Sequence, residues 1–301
     1  MSGGLMRLTW AVTENLGDWS DVRKRLNEDM DRKRNTPAAR AKPGLFEPLQ
    51  QAPAGGGDGY FADLALRFRE ASSVGWSPEA PARPSLGEGK HLWALDSPAD
   101  GIGVARHTAP SDDSMTFADL ETLACRAAGR AAWGVLRGDV DDFGIRIRRA
   151  QNIEEHLQLS HMYKQFFAGE LEVLCSMPEF WRKLTILYSG GDDFAVYGSW
   201  DGLVALAREV HRLFRRFAEE HLKDFPGPEG KTVSMAMALA PAGGTPLAWA
   251  YGEAGRLLER AKSMDKDCFY LFGRTLEWKH VADAAEIQAT LRRLVSEFGC
   301  P

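Results

Sequence analysis

The chain has 301 residues, of which 44% are hydrophobic, so it can bury the core of one large domain or two small ones. Its formal net charge of −5 argues against a protein that coats nucleic acid by bulk charge, although a local basic groove stays open. The sequence contains no apolar run near the roughly 18 residues that a membrane-spanning helix needs, and its start lacks the apolar stretch of a signal peptide. We therefore expect a cytoplasmic protein with no membrane partner.

The beginning of the chain predicts a strand end at Arg7–Val12 and then a surface helix. The helix starts near Asp18 and carries Val22, Leu26 and Met30 on one stripe, with charged residues on its other faces.

Residues 36–115 are dense in proline and glycine, which interrupt helices and strands alike. We expect an irregular insert here, with one helix at Tyr60–Glu70 and short strands at Leu92–Leu95 and Gly103–Arg106. The four cysteines of the chain form no C-x-x-C pair, so their spacing does not predict a zinc site. We expect them to be reduced thiols.

Regular elements return at Thr116, which with Asp119 resembles a capping box and predicts a helix that runs to about Gly129. The apolar patterns that follow predict strands and helices in alternation. The strands are Trp133–Arg137, Leu184–Tyr188, Phe194–Tyr197, Thr232–Leu239 and Phe269–Phe272. The helices are Ile153–Cys175, Trp200–Leu222 and Thr245–Lys262. The order βαββαβ predicts an α+β fold with the ferredoxin-like arrangement of a polymerase or cyclase palm.

The hairpin between the two middle strands carries the sequence Gly190-Gly191-Asp192-Asp193. We expect the glycines to supply the positive φ angles of a tight turn and to leave room for a phosphate beside the backbone. The two carboxylates at the tip are suited to a hard cation, although an ordinary polar turn has the same composition.

A second acidic cluster, Asp139 to Asp142, follows the first strand directly. In a βαββαβ sheet that strand lies beside the hairpin, so Asp139 and the hairpin tip are expected to converge. Converging carboxylates raise each other's pKa unless a cation lies between them, and Mg²⁺ favours carboxylates together with substrate phosphates. Asp141 and Asp142 are candidates for capping the next element, and a site role for Asp141 stays open.

A third group is basic. Lys262 and Lys266 lie four residues apart where a helix leads into the last strand, so they share a face if the helix persists. Ammonium groups there are suited to triphosphate oxygens, although cations at a helix end are also favoured by the helix dipole. Arg146, Arg148 and Arg149 are interpreted as a solvated face.

These motifs, in this order, resemble the large subunit of type III CRISPR effector complexes (the Cas-ten family), and its Csm-one type in particular. The match covers roughly residues 116–301. The segments that carry it are Phe117–Ala124, Leu136–Gly144, Ser189–Phe194, Gly198–Asp201, Thr232–Ala236 and the pair Lys262 and Lys266.

The resemblance implies a second palm domain that converts ATP into cyclic oligoadenylates when the complex binds target RNA in antiviral defence. It implies that Asp139, Asp192 and Asp193 bind Mg²⁺ or Mn²⁺ and are catalytic. It also implies that Ser160 lies in the nucleotide pocket and that the phosphates are held by Gly190, Gly191, Lys262 and Lys266. The implied partners are the other type III effector subunits, with crRNA and target RNA reached through the complex.

Several features depart from this family. An N-terminal nuclease domain, most of a first palm and the usual zinc cysteines between the palms are not found. We therefore interpret 1–35 as the tail of a first palm, 36–115 as an irregular linker domain, 116–275 as the second palm and 276–301 as the start of a C-terminal helical domain. Because the family places two ATP molecules between two palms, we expect the chain to be inactive without a partner palm, supplied by a separate polypeptide or by a longer reading frame.

Two other functions stay open. A diguanylate cyclase has Gly-Gly-Asp-Glu-Phe where this chain has Gly190 to Phe194, but its guanine-positioning residues have no counterpart in Gly144–Glu155. An inert scaffold subunit of the same ribonucleoprotein is the other alternative.

Overall fold

The computed structural model describes residues 9–14, 17–35, 63–64, 67–68, 70–77, 79, 85–95, 101–102, 104–113, 116–241, 243–264 and 266–299. The chain divides into two compact units. The first comprises residues 1–59 and 147–159, and the second comprises residues 60–146 and 160–301.

The first unit is built on helix α1, Trp19–Arg34, whose residue Val22 is buried. The Arg23 guanidinium donates to the carbonyls of Ile147 and Arg148 at 3.0 and 2.7 Å. The Trp19 ring meets the His156 ring edge-on at 5.3 Å. The helix is where the sequence predicts it, but residues 9–12 form no strand, and Arg7 and Leu8 lie outside the described residues.

A small four-stranded sheet occupies part of the segment for which the sequence indicates only irregular structure. Its strands are β1 Ser73–Trp76, β2 Ser85–Leu86, β3 His91–Leu95 and β4 Gly101–Ile102, in the order β2-β1-β3-β4. Strand β3 was predicted. The prediction of a strand at Gly103–Arg106 is wrong for 104–106, and Gly103 lies outside the described residues, as does most of the expected Tyr60–Glu70 helix.

The remaining elements of the second unit build one large sheet and its helices. The strands are β5 Ala132–Val140, β6 Leu184–Ser189, β7 Asp193–Ser199, β8 Val233–Pro241, β9 Cys268–Leu271 and β10 Arg274–Glu277. The helices are α2 Leu120–Cys125, α3 Phe143–Arg148, α4 Ile153–Gln165, α5 Leu171–Ser176, α6 Trp200–His221, α7 Leu247–Met264 and α8 Trp278–Phe298. Residues 147–148 of α3 and 153–159 of α4 are assigned to the first unit.

The large sheet has the strand order β10-β9-β8-β5-β7-β6. Four of its strands, β8-β5-β7-β6, are antiparallel neighbours. The first of these four in chain order, β5, lies between the third, β7, and the fourth, β8. This is the ferredoxin-like order that the βαββαβ pattern predicts, so the predicted fold class is confirmed. Strand β9 joins β8 in parallel after the crossover helix α7.

Both faces of the large sheet are covered by helices. On one face Trp133 and Val135 pack with Ala250 and Ala254 of α7, whose alanines allow the helix to lie close. On the other face Phe194 stacks on Phe167 with ring centroids 5.7 Å apart, and Phe167 stacks on Phe214 of α6 at the same distance. Odd-numbered residues of β5 therefore face α7, which decides where Arg137 and Asp139 lie.

Two predicted helices have different ends in the structure. Asp119, not Thr116, is the N-cap of α2, because its carboxylate accepts the Thr122 amide, and the helix ends at Cys125 rather than near Gly129. The long helix predicted to end at Cys175 contains a π-helical turn at Phe166–Glu170. Three residues of this turn, Phe166, Phe167 and Ala168, are buried, which indicates that packing compensates for the wider turn.

Among the described residues, no helix is both long enough and apolar enough to span a membrane.

Candidate active site

The acidic end of β5 lies beside the tip of the β6–β7 hairpin. Asp139 is directly opposite Asp193 in the antiparallel pair of β5 and β7. The Val140 amide donates to the Asp192 carbonyl at 2.9 Å, which fixes the tip against the strand end. The predicted convergence of Asp139 with Asp192 and Asp193 is therefore present in the structure.

The turn at Gly190 to Asp193 is closed by a backbone hydrogen bond, and its two glycines have different roles. The Gly190 amide donates to the Asp193 carbonyl at 2.6 Å. Neither Gly190 nor Gly191 has a positive φ, so the expectation that glycine supplies such an angle here is wrong. Gly190 is required for space, because a Cβ on it would lie 2.1 Å from Oδ1 of Asp193, whereas a Cβ on Gly191 would meet nothing within 4 Å.

The electrostatics of the tip disfavour full ionisation. Burial raises the pKa of Asp192 to about 6, and the charges of Asp139 and Asp193 add to the shift. Burial also raises the pKa of Asp139, while its hydrogen bond with Lys262 acts in the opposite direction. A cation between these carboxylates would relieve their repulsion.

A second layer that was not predicted supports the tip from the α7 side. The Tyr188 hydroxyl donates to Oδ2 of Asp193 at 2.8 Å. The Arg137 guanidinium lies 4.5 Å from the centre of the Tyr251 ring and 3.5 Å from the Tyr188 hydroxyl. A signal for Arg137 exists in the sequence, because residues two apart on a strand share a face and Asp139 follows it by two. Tyr188 carries no such signal, because a bulge between Ile186 and Tyr188 shifts the register of β6.

The two lysines contact different carboxylates. Lys262, on α7, lies 2.9 Å from Oδ1 of Asp139. Lys266 lies 2.6 Å from Oδ2 of Asp142. Helix α7 ends at Met264, so it does not reach Lys266, and the condition under which both lysines would share one helical face is not met. Each nevertheless holds its ammonium group against the acidic end of β5 or the residues just after it.

Two residues near the strand end behave differently from the sequence interpretation. Asp141 is 2% exposed and accepts hydrogen bonds from three other residues, none of them in the next element, so the capping interpretation is wrong for its side chain. Arg146 is 2% exposed and donates to the carbonyls of Pro226, Gly227 and Glu229 at 2.7 to 3.0 Å. The solvated-face interpretation is therefore wrong for Arg146, whereas Arg148 and Arg149 are exposed.

Ser160 lies at an exposed position of α4. Within the described part of the chain, no hydrogen bond joins its side chain to the acidic tip. Its assignment to a nucleotide pocket stays a prediction.

The carboxylates at the tip are suited to a divalent cation whose coordination shell is completed by water or substrate. In the described ranges, no group of three or more His, Cys, Asp or Glu side chains is arranged to hold a metal ion by itself. Mg²⁺ commonly uses one or two carboxylates with waters and substrate phosphates, so a closed protein cage is not needed. Burial and neighbouring carboxylates raise the pKa of Asp139 and of Asp192, and a bound cation would offset both effects.

A ferredoxin-like sheet with an acidic hairpin tip beside an acidic strand end defines a palm domain of the polymerase and cyclase type. The sequence model described as Cas10/Cmr2, second palm domain, matches residues 132–270. Residues 132–270 of this chain are therefore similar to the second palm domain of that family.

Curated relatives carry the same family name. The "CRISPR system single-strand-specific deoxyribonuclease Cas10/Csm1 (subtype III-A)" of Mycobacterium tuberculosis is 30% identical over 195 residues, 58% of this chain and 23% of the relative. The protein of the same name from Streptococcus thermophilus is 28% identical over 150 residues, 48% of this chain and 18% of the relative. The chain thus matches less than a quarter of the length of these proteins.

Solved structures share the fold. A crystal structure of an apo Csm1–Csm4 cassette superposes with a TM-score of 0.69 at 19% identity, covering 92% of this chain and 42% of that chain. A Csm1–Csm4 cassette in complex with cA3 superposes with a TM-score of 0.64 at 19% identity, covering 87% of this chain and 40% of that chain.

Proposed function

We propose that this palm domain transfers nucleotidyl groups from ATP and produces cyclic oligoadenylates as part of a type III CRISPR effector large subunit that responds to target RNA. The observation that carries the proposal is the pairing of Asp139 with Asp193 beside the Asp192 tip, with Lys262 bound to Asp139. The family of the palm domain and the cA3 complex of a structure with the same fold support this choice of nucleotide.

The residues of the site divide the chemistry between them. Asp139, Asp192 and Asp193 would hold Mg²⁺ or Mn²⁺, which when bound supplies positive charge that favours a deprotonated 3′-hydroxyl and stabilises the leaving pyrophosphate. Lys262 and Lys266 exchange their carboxylate partners for triphosphate oxygens. Gly191, beside which a Cβ would meet nothing within 4 Å, leaves space for the phosphates at the turn.

We further propose that the activity needs a second palm and the rest of the effector complex. The related Csm1 chain in the apo cassette is matched over 42% of its length, and that structure contains Csm4. The proposed partners are therefore the other effector subunits, with crRNA and target RNA bound through the complex, and a first palm supplied by the rest of a longer chain or by a separate polypeptide.

The test is the conversion of labelled ATP with Mg²⁺ by the full chain, alone and assembled with the remaining subunits, crRNA and target RNA. We expect cyclic oligoadenylates in the assembled reaction only. Asp192→Asn and Asp193→Asn are each expected to lower the rate at least 100-fold, since each removes a charged ligand of the proposed ion. Asp283→Asn, an exposed change on α8, is the matched control.

Three outcomes would contradict the proposal. Cyclic di-GMP from labelled GTP would assign the chain to diguanylate cyclases instead. An assembled and RNA-bound complex without any product would indicate an inert scaffold. Undiminished turnover in either aspartate variant would remove that residue from the set of metal ligands.

A further inference from the structure

The buried carboxylate of Asp141 lies directly after β5 and joins three segments of the second unit. Its Oδ2 accepts hydrogen bonds from the Thr232 hydroxyl at 2.8 Å and from the Asp267 amide at 3.0 Å. Its Oδ1 accepts a hydrogen bond from the Ser234 hydroxyl at 2.8 Å. Three neutral groups therefore donate to its two oxygens, and the charge of Lys266 also attracts this carboxylate.

The backbone of Asp141 reinforces this junction. Its amide donates to the Thr232 carbonyl at 2.9 Å, and its carbonyl accepts the Gly230 amide at 2.8 Å. The end of β5, the start of β8 and the segment that leads into β9 therefore meet at one side chain. A buried carboxylate is weak evidence for added stability, because its desolvation offsets much of what its hydrogen bonds contribute. The position that the Asp141 carboxylate imposes on the segments around it is the better explanation for a carboxylate at this place.

The segment held by Asp141 carries one of the proposed phosphate-binding lysines. The Asp267 amide, which Asp141 binds, follows Lys266 immediately, and Lys266 contacts Asp142, the residue after Asp141. Asp142 and Asp267 both have positive φ, at 56° and 55°. Non-glycine residues rarely adopt this conformation, so the surrounding hydrogen bonds must hold both segments in place.

We propose that Asp141 is a positioning residue that holds the Lys266 segment against the acidic end of β5, so that the ammonium group is in place before a nucleotide triphosphate binds. The consequence for nucleotide binding rests on the function proposed above. The consequence for the position of Lys266 does not, and it is measured on the chain without nucleotide.

The first experiment measures how fast the Lys266 amine is acylated, by mass spectrometry of the full chain. Asn in place of Asp141 presents an amide NH₂ to donors that need an acceptor, so the junction loses at least one bond. We expect Asp141→Asn to raise the acylation rate of Lys266 about tenfold, a value typical of one lost charged hydrogen bond. Ser234→Ala removes the bond to Oδ1 and the contact of the Cys268 thiol with the Ser234 hydroxyl, but it keeps both bonds to Oδ2, so a smaller effect is expected. Asp283→Asn on α8 is expected to have none. An unchanged Lys266 rate in Asp141→Asn overturns the inference.

The second experiment uses the assembled complex. We expect Asp141→Asn to raise the KM for ATP about tenfold while kcat falls much less, because the lysine contacts phosphate in both the ground state and the transition state. A fall in kcat without a change in KM contradicts the proposal. If the unaltered complex converts no ATP, the proposed function fails, and the acylation result still decides whether Asp141 holds the lysine segment.

Should Asp141→Asn fail to fold, hydrogen exchange in the unaltered chain replaces it. The Asp267 amide, the donor to Asp141, is then expected to be as protected as the Val140 amide in the sheet. Fast exchange at Asp267 overturns the inference.

Discussion

The Tyr188 hydroxyl donates a 2.8 Å hydrogen bond to Oδ2 of Asp193, so an aromatic side chain from one strand of the hairpin orients an acidic side chain on the other. Burial and this hydrogen bond raise the pKa of Tyr188, so the phenol stays protonated and keeps donating. The Arg137 guanidinium stacks on the ring of Tyr251, a residue of α7, and lies beside the Tyr188 hydroxyl. The geometry of the proposed site therefore depends on a residue that carries none of its charge.

We expect Tyr188→Phe to lower ATP turnover of the assembled complex about tenfold, while the free energy of unfolding falls by only about 1 kcal/mol. The phenylalanine keeps the packing but frees the Asp193 carboxylate. Tyr270→Phe on β9, which β8 and β5 separate from β7, is the matched control. Equal losses of turnover in the two variants would contradict an orienting role for Tyr188.

Gly190 and Gly191 are expected to differ sharply although they are adjacent. A Cβ at Gly190 lies 2.1 Å from Oδ1 of Asp193, so the carboxylate must rotate and give up its bond with Tyr188. We expect Gly190→Ala to lower the free energy of unfolding by about 1–2 kcal/mol, and Gly191→Ala to change it by less than about 0.5 kcal/mol. Urea denaturation followed by circular dichroism measures both, and similar values for the two variants would show that the turn has room at both positions.

Part of this site is local in sequence and part is not. The hairpin and the strand before Asp139 can be predicted from the sequence, because apolar runs, glycines and acidic residues follow each other within short stretches. Their convergence follows from the βαββαβ order alone, which puts the first strand beside the third.

The contacts that the sequence did not indicate all join distant segments or depend on local irregularities. Arg146 is buried because carbonyls about 80 residues further along the chain accept its guanidinium. Lys266 reaches Asp142 only because α7 ends at Met264, two residues before the lysine. No period of 2 or 3.6 residues encodes such contacts.

Helix α7 contains a second matched pair of glycines. Gly252 is exposed and a Cβ there meets nothing within 4 Å, whereas a Cβ on Gly255 lies 2.4 Å from Nη1 of Arg137. Helix propensity favours alanine over glycine by about 1 kcal/mol, so Gly252→Ala is expected to stabilise the protein by about that amount. Gly255→Ala gains the same propensity but displaces the guanidinium, so its net effect is expected to be near zero or destabilising.

A double-mutant cycle separates these two contributions at Gly255. In an Arg137→Met background, which lacks Nη1, Gly255→Ala is expected to recover most of the gain seen at Gly252. Equal effects of Gly255→Ala with and without Arg137 would mean that the guanidinium moves aside freely. The position of the Arg137 side chain beside Tyr188 would then not be fixed by its packing against α7.

The first unit contains a group whose protonation opposes folding. Burial lowers the pKa of His156 from its ordinary value of 6.5, and the charge of Arg23 adds to the shift. The Nδ1 atom of the ring is buried without a hydrogen-bond partner among the described residues. Because the folded pKa is below the unfolded one, the unfolded chain binds more protons as the pH falls below about 6.5, and stability is lost in that direction.

We therefore expect the amides of α1 to lose protection between pH 7 and pH 5, after correction for the intrinsic exchange rate at each pH. His156→Phe keeps an aromatic ring against Trp19 but binds no proton, so the pH dependence of α1 should become flatter. His161→Phe, an exposed change on the same helix α4, should leave it as in the unaltered chain. If α1 protection depends on pH equally in all three proteins, the charge of His156 does not act on α1, and its contact with Trp19 at 5.3 Å is a packing contact alone.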